Sequence, residues 1–466
     1  MGQECFFTSN RDQMELRKTF HQNSVSLAGS LFLAAIFFLS AADQTFTTRF
    51  MGFNFRWGQL LLLICALPGL WDLKIKSREN AGLREFLRKL FPAWAFFFLV
   101  YFLAAAFSPE FKLTFIKGIW GIFNLTCAAA VCLGPRFKKN LETGFLLGIL
   151  LISLLIWAQA LAIHWLEWPI AHNFGKLDCP ITYSFLPFSI PLGYAQWSLN
   201  FENFLMFRPN AFYYEPSYAG AALSFAFPLI LFLEKKKSFG FPPVSPLVAG
   251  AIVLIGSRLG ILNLILIFLT VFIGFWIKQE RDWNRHLFKS AGLGLLLLIV
   301  FALHPGGSRY FRYLAGPLGV GQIISHVQNY QEDVKEGSTE GIRVKGLLRV
   351  PEEWLKNPVW GKGVPGMNPD TQGLAGGAAN TWAEVLLESG LLGFLAFLGA
   401  IVLTMRFALS RRVDFPAGLL VTTAWVVHFL VNLNLTQTFP RLDYWLLFFF
   451  SVYLLIQPKP PPQKPL

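Results

Sequence analysis

Three arginines and a glutamate lie where polar segments of the chain meet apolar ones. Arg208 and Glu215 lie in RPNAFYYEPSYAG (208–220), Arg258 lies in IVLIGSRLGILN (252–263), and Arg343 lies in STEGIRVKGLL. Guanidinium groups bind phosphate oxygens through paired N–H donors, and a carboxylate can take a proton from a hydroxyl group. These four residues therefore have the chemistry to bind a phosphate and to activate a hydroxyl group.

Each of these residues also has a structural interpretation. Arg208 and Glu215 could form an ion pair that secures the loop to the next helix, whose first turn would hold Pro216. Arg258 could contact lipid headgroups, or it could bind an anion beside the N-terminus of the following helix. Arg343 could be an ordinary loop arginine. The residue types alone leave these interpretations open.

A further polar region lies in ANTWAEVLLESGLLG (379–393). Asn380 occupies a position typical of a helix N-cap, which is its structural interpretation. Glu384 and Glu388 follow one turn apart on the same face of the predicted helix. One of them could face a pocket, with contact to charged headgroups as the alternative. Asn380 and Glu384 are therefore further candidate site residues.

No motif in the chain predicts a cofactor or a metal ion. GKGVPG (361–366) has the spelling of a dinucleotide fingerprint, but Pro365 interrupts it and no strand is predicted before it. We interpret it as a glycine-rich turn. The histidines and the five cysteines show no metal-ligand spacing. We expect neither a cofactor nor a metal site.

The elements that must position these residues are membrane helices. The chain has 466 residues, of which 54% are hydrophobic and 14% charged, whereas soluble domains are about 25% charged. Apolar segments of about 20 residues, long enough to cross a bilayer, recur along the chain. We predict an all-α polytopic membrane protein with about 12 transmembrane helices, at 24–42, 57–72, 91–108, 113–134, 144–167, 216–233, 241–256, 259–277, 287–304, 381–404, 416–433 and 442–457.

The basic residues predict the orientation of the chain. With both termini in the cytoplasm, most Lys and Arg residues fall in connecting segments on the cytoplasmic side, as the positive-inside rule requires. The net charge of +13 then reflects membrane anchoring, and we expect no nucleic-acid partner. The predicted organisation is a cytoplasmic segment at 1–23, a transmembrane domain at 24–457 and a cytoplasmic proline-rich tail at 458–466.

Two predicted outer loops are too long to be simple turns. They cover about 168–215 and about 305–380, and the second joins predicted helices 9 and 10. Within the second loop, LLRVPEEWL (347–355) predicts a short helix that begins at Pro351.

Between 241 and 277, the sequence GSR (256–258) predicts a break that separates two crossings.

Four stretches, in this order, resemble the O-antigen ligase and Wzy-type O-antigen polymerase superfamily. RPNAFYYEPSYAG (motif 1, 208–220) is similar to the family's Arg-x-x-Gly-x-Phe-x-(Asp/Glu)-Pro segment, and LIGSRLG (motif 2, 254–260) is similar to its span that ends in Ser-Arg. GIRVKGLLRVPEEWLKNPVWGKGVPGM (motif 3, 341–367) is similar to Gly-Arg followed by a helix and an Asn-Pro-x-x-Gly-x-Gly turn. ANTWAEVLLESGLLG (motif 4, 379–393) is similar to its His-Asn-x-x-Leu segment that ends in Glu-x-Gly-Leu-Leu-Gly.

The resemblance implies a metal-independent glycosyltransferase of polysaccharide biosynthesis, with no cofactor. Its donor would be an undecaprenyl-pyrophosphate-linked oligosaccharide at the periplasmic face of the bacterial inner membrane. Arg208, Arg258 and Arg343 are the positions that would bind the pyrophosphate. The acceptor would be another lipid-linked glycan for a polymerase, or lipid A–core for a ligase. Membrane lipids, a chain-length regulator and a flippase are the further partners that the resemblance suggests.

Two positions depart from the family pattern. Ala379 replaces the histidine that is favoured in ligases as the acceptor-activating residue, and Ala211 replaces a glycine. The Glu-Pro-Ser form of motif 1 is more similar to polymerases, so we expect a Wzy-type polysaccharide polymerase with Glu215 as the catalytic base. The alternatives are an O-antigen ligase, a lipid-linked glycan flippase or transporter, and a non-catalytic component of an export complex.

Overall fold

The structure is a computed structural model, and the statements that follow concern the residues it describes. These are 27–40, 47–50, 53–56, 61–64, 66–69, 81–108, 111–134, 137–166, 179–185, 188–198, 204–211, 213, 216–237, 243–318, 349–363, 380–410, 414–432 and 441–456. The predicted terminal segments at 1–23 and 458–466 lie outside them.

Helices dominate the described part of the chain. In chain order they are α1 Leu27–Ser40, α2 Ala81–Lys89, α3 Phe91–Ala106, α4 Phe111–Leu133, α5 Lys138–His164, α6 Pro216–Lys237, α7 Val244–Leu254, α8 Arg258–Ile277, α9 Arg281–Leu303, α10 Pro305–Leu318, α11 Thr381–Ser410, α12 Phe415–Val426 and α13 Leu442–Ile456. A π-helical turn, Val427–Asn432, continues α12, and a short helix covers 349–355.

The predicted membrane architecture is confirmed at the level of fold class. Every predicted span contains helical residues; in the span 57–72 these are 61–64 and 66–69. Within the described residues, eight helical segments are long and apolar enough to cross a membrane, and α1, α7 and α13 are shorter apolar helices. The chain is therefore a multi-pass helical membrane protein.

Two connecting regions contain strands that we did not predict. β1 (Thr47–Phe50) and β2 (Phe53–Arg56) form an antiparallel hairpin. β3 (Cys179–Phe185), β4 (Phe188–Ser198) and β5 (Phe204–Arg208) form an antiparallel sheet in the order β3-β4-β5. Pro180 and Pro191 lie within this sheet, and a proline removes a ladder donor, so the sequence pattern favoured a loop. The predicted loop at 168–215 is thus partly a sheet that ends at Arg208.

The predicted break between α7 and α8 is confirmed. α7 ends at Leu254, Gly256 adopts a left-handed backbone with φ 63°, and α8 begins at Arg258. The side chain of Ser257 accepts a hydrogen bond from the Gly260 amide at 3.4 Å and so caps α8. With 11 residues, α7 is about 16 Å long, about half the thickness of the hydrocarbon core.

The predicted helix at Pro351 exists, and Arg349 and Val350, the described residues before the proline, are already helical. Proline is well tolerated in the first turn of a helix because the amides there have no intrahelical acceptor. The residues before Pro351 can therefore be helical, and the proline does not mark the first helical position.

α13 is the central helix of the bundle. All of its 15 residues are buried, as expected for a helix that is apolar on every side. The Trp445 ring packs edge-to-face on Trp94 of α3, with 5.1 Å between centroids. The Phe450 ring stacks on Phe145 of α5 at 4.0 Å. This packing places the first residues of α13 inside the bundle.

Candidate functional site

Motif 1 and motif 2 contact each other through Arg208. The Arg208 Nε atom donates to the Ile255 carbonyl at 3.1 Å, and its Nη2 atom donates to the Gly256 carbonyl at 2.7 Å. These carbonyls lie in the break between α7 and α8, where no amide of a continuing helix donates to them. Arg208 thus secures the backbone turn that leads into Arg258. The predicted ion pair with Glu215 stays a prediction, because Glu215 lies outside the described residues.

The helices that follow the two motifs also pack closely. A Cβ atom at Gly220 would lie 3.2 Å from the Gly260 Cα atom and 3.1 Å from the Ser257 Cβ atom. Small residues allow two membrane helices to approach in this way. Gly220 and Gly260 therefore hold the N-termini of α6 and α8 side by side, with Arg258 as the first residue of α8.

A tight turn follows Arg208 and includes Ala211. Ala211 adopts a left-handed backbone with φ 51°, a region that is strained for a residue with a Cβ atom. Gln159 of α5 stabilises the turn. Its Oε1 atom accepts from the amides of Asn210 and Ala211 at 3.1 and 2.9 Å, and its Nε2 atom donates to the Ala211 carbonyl at 3.1 Å.

Motif 3 and motif 4 are joined at a break inside α11. Gly390 has non-helical torsions, φ 64° and ψ −167°, within this helix. The glycine turn of motif 3 fills the break: the amides of Lys362 and Gly363 donate to the carbonyls of Leu387 and Glu388 at 2.7 and 3.1 Å, and the Leu391 amide donates to the Pro358 carbonyl at 2.9 Å. Backbone groups freed by the break are thereby satisfied.

The glycines of this turn leave no room for side chains. Gly361 and Gly363 have φ values of 74° and 77°. A Cβ atom at Gly363 would lie 1.8 Å from the Ser108 Oγ atom, and one at Gly361 would lie 2.5 Å from the Gly390 amide nitrogen. The interpretation of 361–363 as a glycine-rich turn is confirmed, and the turn also ties α11 to the end of α3.

A buried charge cluster lies one to two turns into α11; we call Tyr101, Lys117, Glu384 and Glu388 the Lys117 cluster. The Lys117 ammonium lies 2.6 Å from Glu384 Oε1 and 2.6 Å from Glu388 Oε1. The Tyr101 hydroxyl donates to Glu388 Oε2 at 2.6 Å. The Glu384 Oε2 atom is buried and has no hydrogen-bond partner among the described residues. This carboxylate therefore has an acceptor atom that the cluster itself does not use.

Asn380 has the predicted capping role at the start of the same helix. Its Oδ1 atom accepts a hydrogen bond from the Ala383 amide at 3.0 Å, which satisfies one of the helix's first amides. The cap orients the first turn of α11, from which Glu384 projects toward Lys117.

A comparison with known protein families found a match to part of the chain. Residues 244–398 match the model of the O-antigen ligase family (Wzy_C). The chain carries an O-antigen ligase-type domain. No curated protein matches the chain. The domain match and the apolar helices together support a multi-pass membrane protein that processes lipid-linked glycans.

The O-antigen ligase-type domain contains some of the predicted site residues and not others. Arg258, Arg343, Asn380 and Glu384 lie within its matched range, whereas Arg208 and Glu215 of motif 1 precede it. Arg208 nevertheless binds the domain directly, through the carbonyls at 255 and 256.

Only some of the predicted site residues lie among the residues that the structure describes. The structure places Arg208 beside the break that precedes Arg258, and it places Asn380 and Glu384 together at the start of α11. The side chain of Arg258 and all of Glu215 and Arg343 lie outside the described residues. The predicted convergence of the three guanidinium groups stays a prediction.

Sequence reasoning missed two charged groups near the O-antigen ligase-type domain. One is Lys117, whose lone position in the apolar segment LTFIKGIWG was a usable signal, because an ionisable residue within a span is a functional candidate by default. The other is Arg441, at the head of the last span. Arg441 binds Asp443 through two hydrogen bonds, Nε to Oδ1 at 3.1 Å and Nη2 to Oδ2 at 3.0 Å.

Tyr213 and Glu353, both outside the membrane-spanning segments, have shifted pKa values. Burial, reinforced by the charge of Asp443, holds the pKa of Tyr213 well above its usual value, so this phenol stays protonated and neutral. Hydrogen bonds from Lys356 and Lys362 lower the pKa of Glu353, which therefore stays ionised at the edge of the glycine turn. Within the described residues, no group of three or more His, Cys, Asp or Glu side chains could hold a metal ion.

Proposed function

We propose that the protein is a membrane glycosyltransferase that polymerises undecaprenyl-pyrophosphate-linked repeat units, a Wzy-type polysaccharide polymerase. The observation that supports it is the meeting of the four motifs in pairs, with Arg208 bound to the turn before Arg258 and the glycine turn of motif 3 inserted into the helix of motif 4. These two sets of contacts support the proposal that the motifs together form a site.

The proposed donor site uses arginines to stabilise the leaving pyrophosphate. In glycosyl transfer the bond between the sugar C1 atom and the phosphate oxygen breaks, so negative charge develops on the leaving group and must be neutralised. Arg258 begins α8, where the exposed amides and the helix dipole also favour an anion. Arg208 fixes this helix start through its Nε and Nη2 donors. Arg343 completes the proposed set, which would supply this charge stabilisation without a metal ion.

Glu215 is the proposed base. The acceptor sugar hydroxyl attacks C1 of the donor sugar, its proton passes to the carboxylate of Glu215, and undecaprenyl pyrophosphate leaves with the electron pair of the broken bond. The product is a lipid-linked glycan that is longer by the transferred chain. Glu215 directly precedes Pro216 in the sequence, and Pro216 is the first residue of α6, whose first turns pack against those of α8 at Gly220, Ser257 and Gly260.

A polymerase is favoured over a ligase by one position. Ala379 cannot accept a proton, whereas the family's ligases have a histidine there. The description of the matched family favours the ligase as the second candidate. In the proposed setting the domain of 24–457 lies in the bacterial inner membrane, the site faces the periplasm, and the acceptor is a second lipid-linked glycan.

Deletion of the gene followed by gel analysis of lipid-linked and released glycans tests this function. A polymerase deletion accumulates single repeat units, whereas a ligase deletion accumulates long lipid-linked chains. A purified polymerase also makes no conjugate when it is offered lipid A–core. We expect Glu215→Gln and Arg258→Ala to abolish chain growth, with Arg285→Ala as the matched control because Arg285 is exposed at the other end of the bundle, in the first turn of α9.

If Glu215→Gln and Arg258→Ala both leave polymer length and yield unchanged while the proteins stay in the membrane, the enzymatic proposal is wrong. A flippase or a non-catalytic export component would then be the better interpretation.

A further inference from the structure

A buried arginine–aspartate pair lies against motif 1, and the proposed mechanism does not use it. The guanidinium of Arg441 lies over three tyrosine rings, 4.3 Å from the Tyr218 centroid and 5.5 Å from those of Tyr213 and Tyr444. Its two bonds to Asp443 fix the plane of the group. The side chains of Arg441 and Asp443 are only 11% and 4% exposed.

Burial of this ion pair costs free energy, so the pair needs an explanation other than packing. Charges are expensive to bury unless they are paired and fully hydrogen-bonded, and the pairing here is incomplete. The Arg441 Nη1 atom is buried without a hydrogen-bond partner among the described residues. A leucine and a phenylalanine would fill the same space at lower cost if packing were the only requirement.

The rings that hold Arg441 bracket the proposed base in the sequence. Tyr213 lies two residues before Glu215, and Tyr218 lies three residues after it. The amide of Tyr213 is fixed by a hydrogen bond to the Asn210 carbonyl at 3.0 Å, and Tyr218 is part of α6. Consecutive Cα atoms are 3.8 Å apart, so Glu215 is covalently confined between two residues that the guanidinium holds.

We propose that the Arg441–Asp443 pair is a positioning device for Glu215: it holds Tyr213 and Tyr218, which flank Glu215 in the sequence, and adds no net charge to this region. This inference rests on the proposed function, because it assigns Glu215 the role of base. Since the pair as a whole is neutral, it can hold the base in place without a net charge that would change its proton affinity.

Titratable side chains from three elements surround the pair. Asp443 and Tyr444 come from α13, and Tyr213 and Tyr218 come from motif 1 and α6. His428, in the π-helical turn, stacks on Tyr444 at 5.0 Å between centroids. Among these groups Arg441 and Asp443 form the ion pair, and Tyr213 stays a neutral phenol because burial holds its pKa well above the usual value.

The test uses two substitutions that break the same contact but change the charge in opposite directions. Polymerisation by the purified full-length protein is measured against pH, with lipid-linked repeat units extracted from the deletion strain. Activity should rise with pH as Glu215 loses its proton. Arg441→Gln leaves the Asp443 anion and should move this rise to higher pH, whereas Asp443→Asn leaves the Arg441 cation and should move it to lower pH.

The expected displacement is about one pH unit each way, since a unit charge at roughly 10 Å in an effective dielectric of about 20 changes a pKa by that amount. The double variant R441Q/D443N removes both charges, and its profile should return to the wild-type position at a lower maximal rate. Arg441→Lys keeps the charge but loses the planar stacking, so it should lower the rate without moving the profile.

Lys236→Gln and Glu142→Gln are the matched controls, because they break an ion pair of 3.1 Å at the opposite end of α5 and α6. If R441Q and D443N lower activity with no displacement, or move the profile in the same direction, the pair only fastens α13 to α6 and the inference is wrong. If the wild-type protein makes no polymer from the repeat units, the proposed function itself fails, and the inference fails with it.

Discussion

Removal of Lys117 alone should destabilise the protein far more than removal of every charge in its cluster. Lys117 is the partner of two carboxylates, Glu384 and Glu388, each at 2.6 Å, and the three side chains are 16%, 13% and 3% exposed. In Lys117→Met the side chain keeps about the same length, but two carboxylates remain in the protein interior without a cation.

The magnitude follows from the cost of unpaired buried charges. Loss of one partner from a buried ion pair costs about 3–5 kcal/mol, and Lys117 serves two carboxylates, so we expect at least the upper part of this range. The triple variant K117M/E384Q/E388Q has no charge in the cluster. The side-chain amide that replaces the Glu388 carboxylate can still accept from the Tyr101 hydroxyl, so most of the lost free energy of unfolding should return.

The free energy of unfolding is measured by SDS titration in mixed micelles for wild type, K117M and the triple variant. Lys89→Met is the control, because Lys89 pairs with Glu85 one turn away and its side chain is 53% exposed, where a pair contributes less than about 1 kcal/mol. Equal stabilities for K117M and K89M, or a triple variant less stable than K117M, would refute a buried charged cluster.

Three further predictions concern the turn at Ala211, the helix break at Gly390 and the ion pairs of Glu353. Ala211→Gly should raise the free energy of unfolding by about 1 kcal/mol, because it relieves the left-handed strain, and an unchanged unfolding midpoint would contradict this. Gly390→Ala should lower the thermal midpoint and the polymer yield, because its Cβ atom would lie 2.2 Å from the Val359 carbonyl oxygen. The control is Gly399→Ala, whose Cβ atom would meet nothing within 4 Å, so this variant should be neutral or slightly stabilising. The folded-state pKa of Glu353 is lowered, so its ion pairs stabilise the turn fully above the ordinary carboxyl pKa and are lost as pH falls through the lowered value. Glu353→Gln should therefore flatten the acid side of the plot of thermal midpoint against pH. An identical plot for the variant and the wild type would refute the pairing.

Much of the scaffold could be predicted from sequence. The positions of the helices, the break at 256–258, the cap at Asn380 and the glycine turn at 361–363 all depend on residues that are close in the chain. Hydrophobic length, glycine torsions and capping side chains act locally, so a single sequence reveals them. The strands of 179–208 were missed because their prolines interrupt the local pattern.

The site depended on contacts that no local pattern contains. Lys117 meets Glu384 across 267 residues, and Tyr101 meets Glu388 across 287. The sequence did not show that Arg208 would bind the carbonyls of Ile255 and Gly256, or that Arg441 would lie against the rings of Tyr213 and Tyr218, because both contacts depend on tertiary packing. Sequence alone determined a helical membrane protein with four family-like motifs, because burial of apolar length is a property of each segment. Only the tertiary structure decided which charges neutralise one another, because a buried charge selects its partner by distance in space.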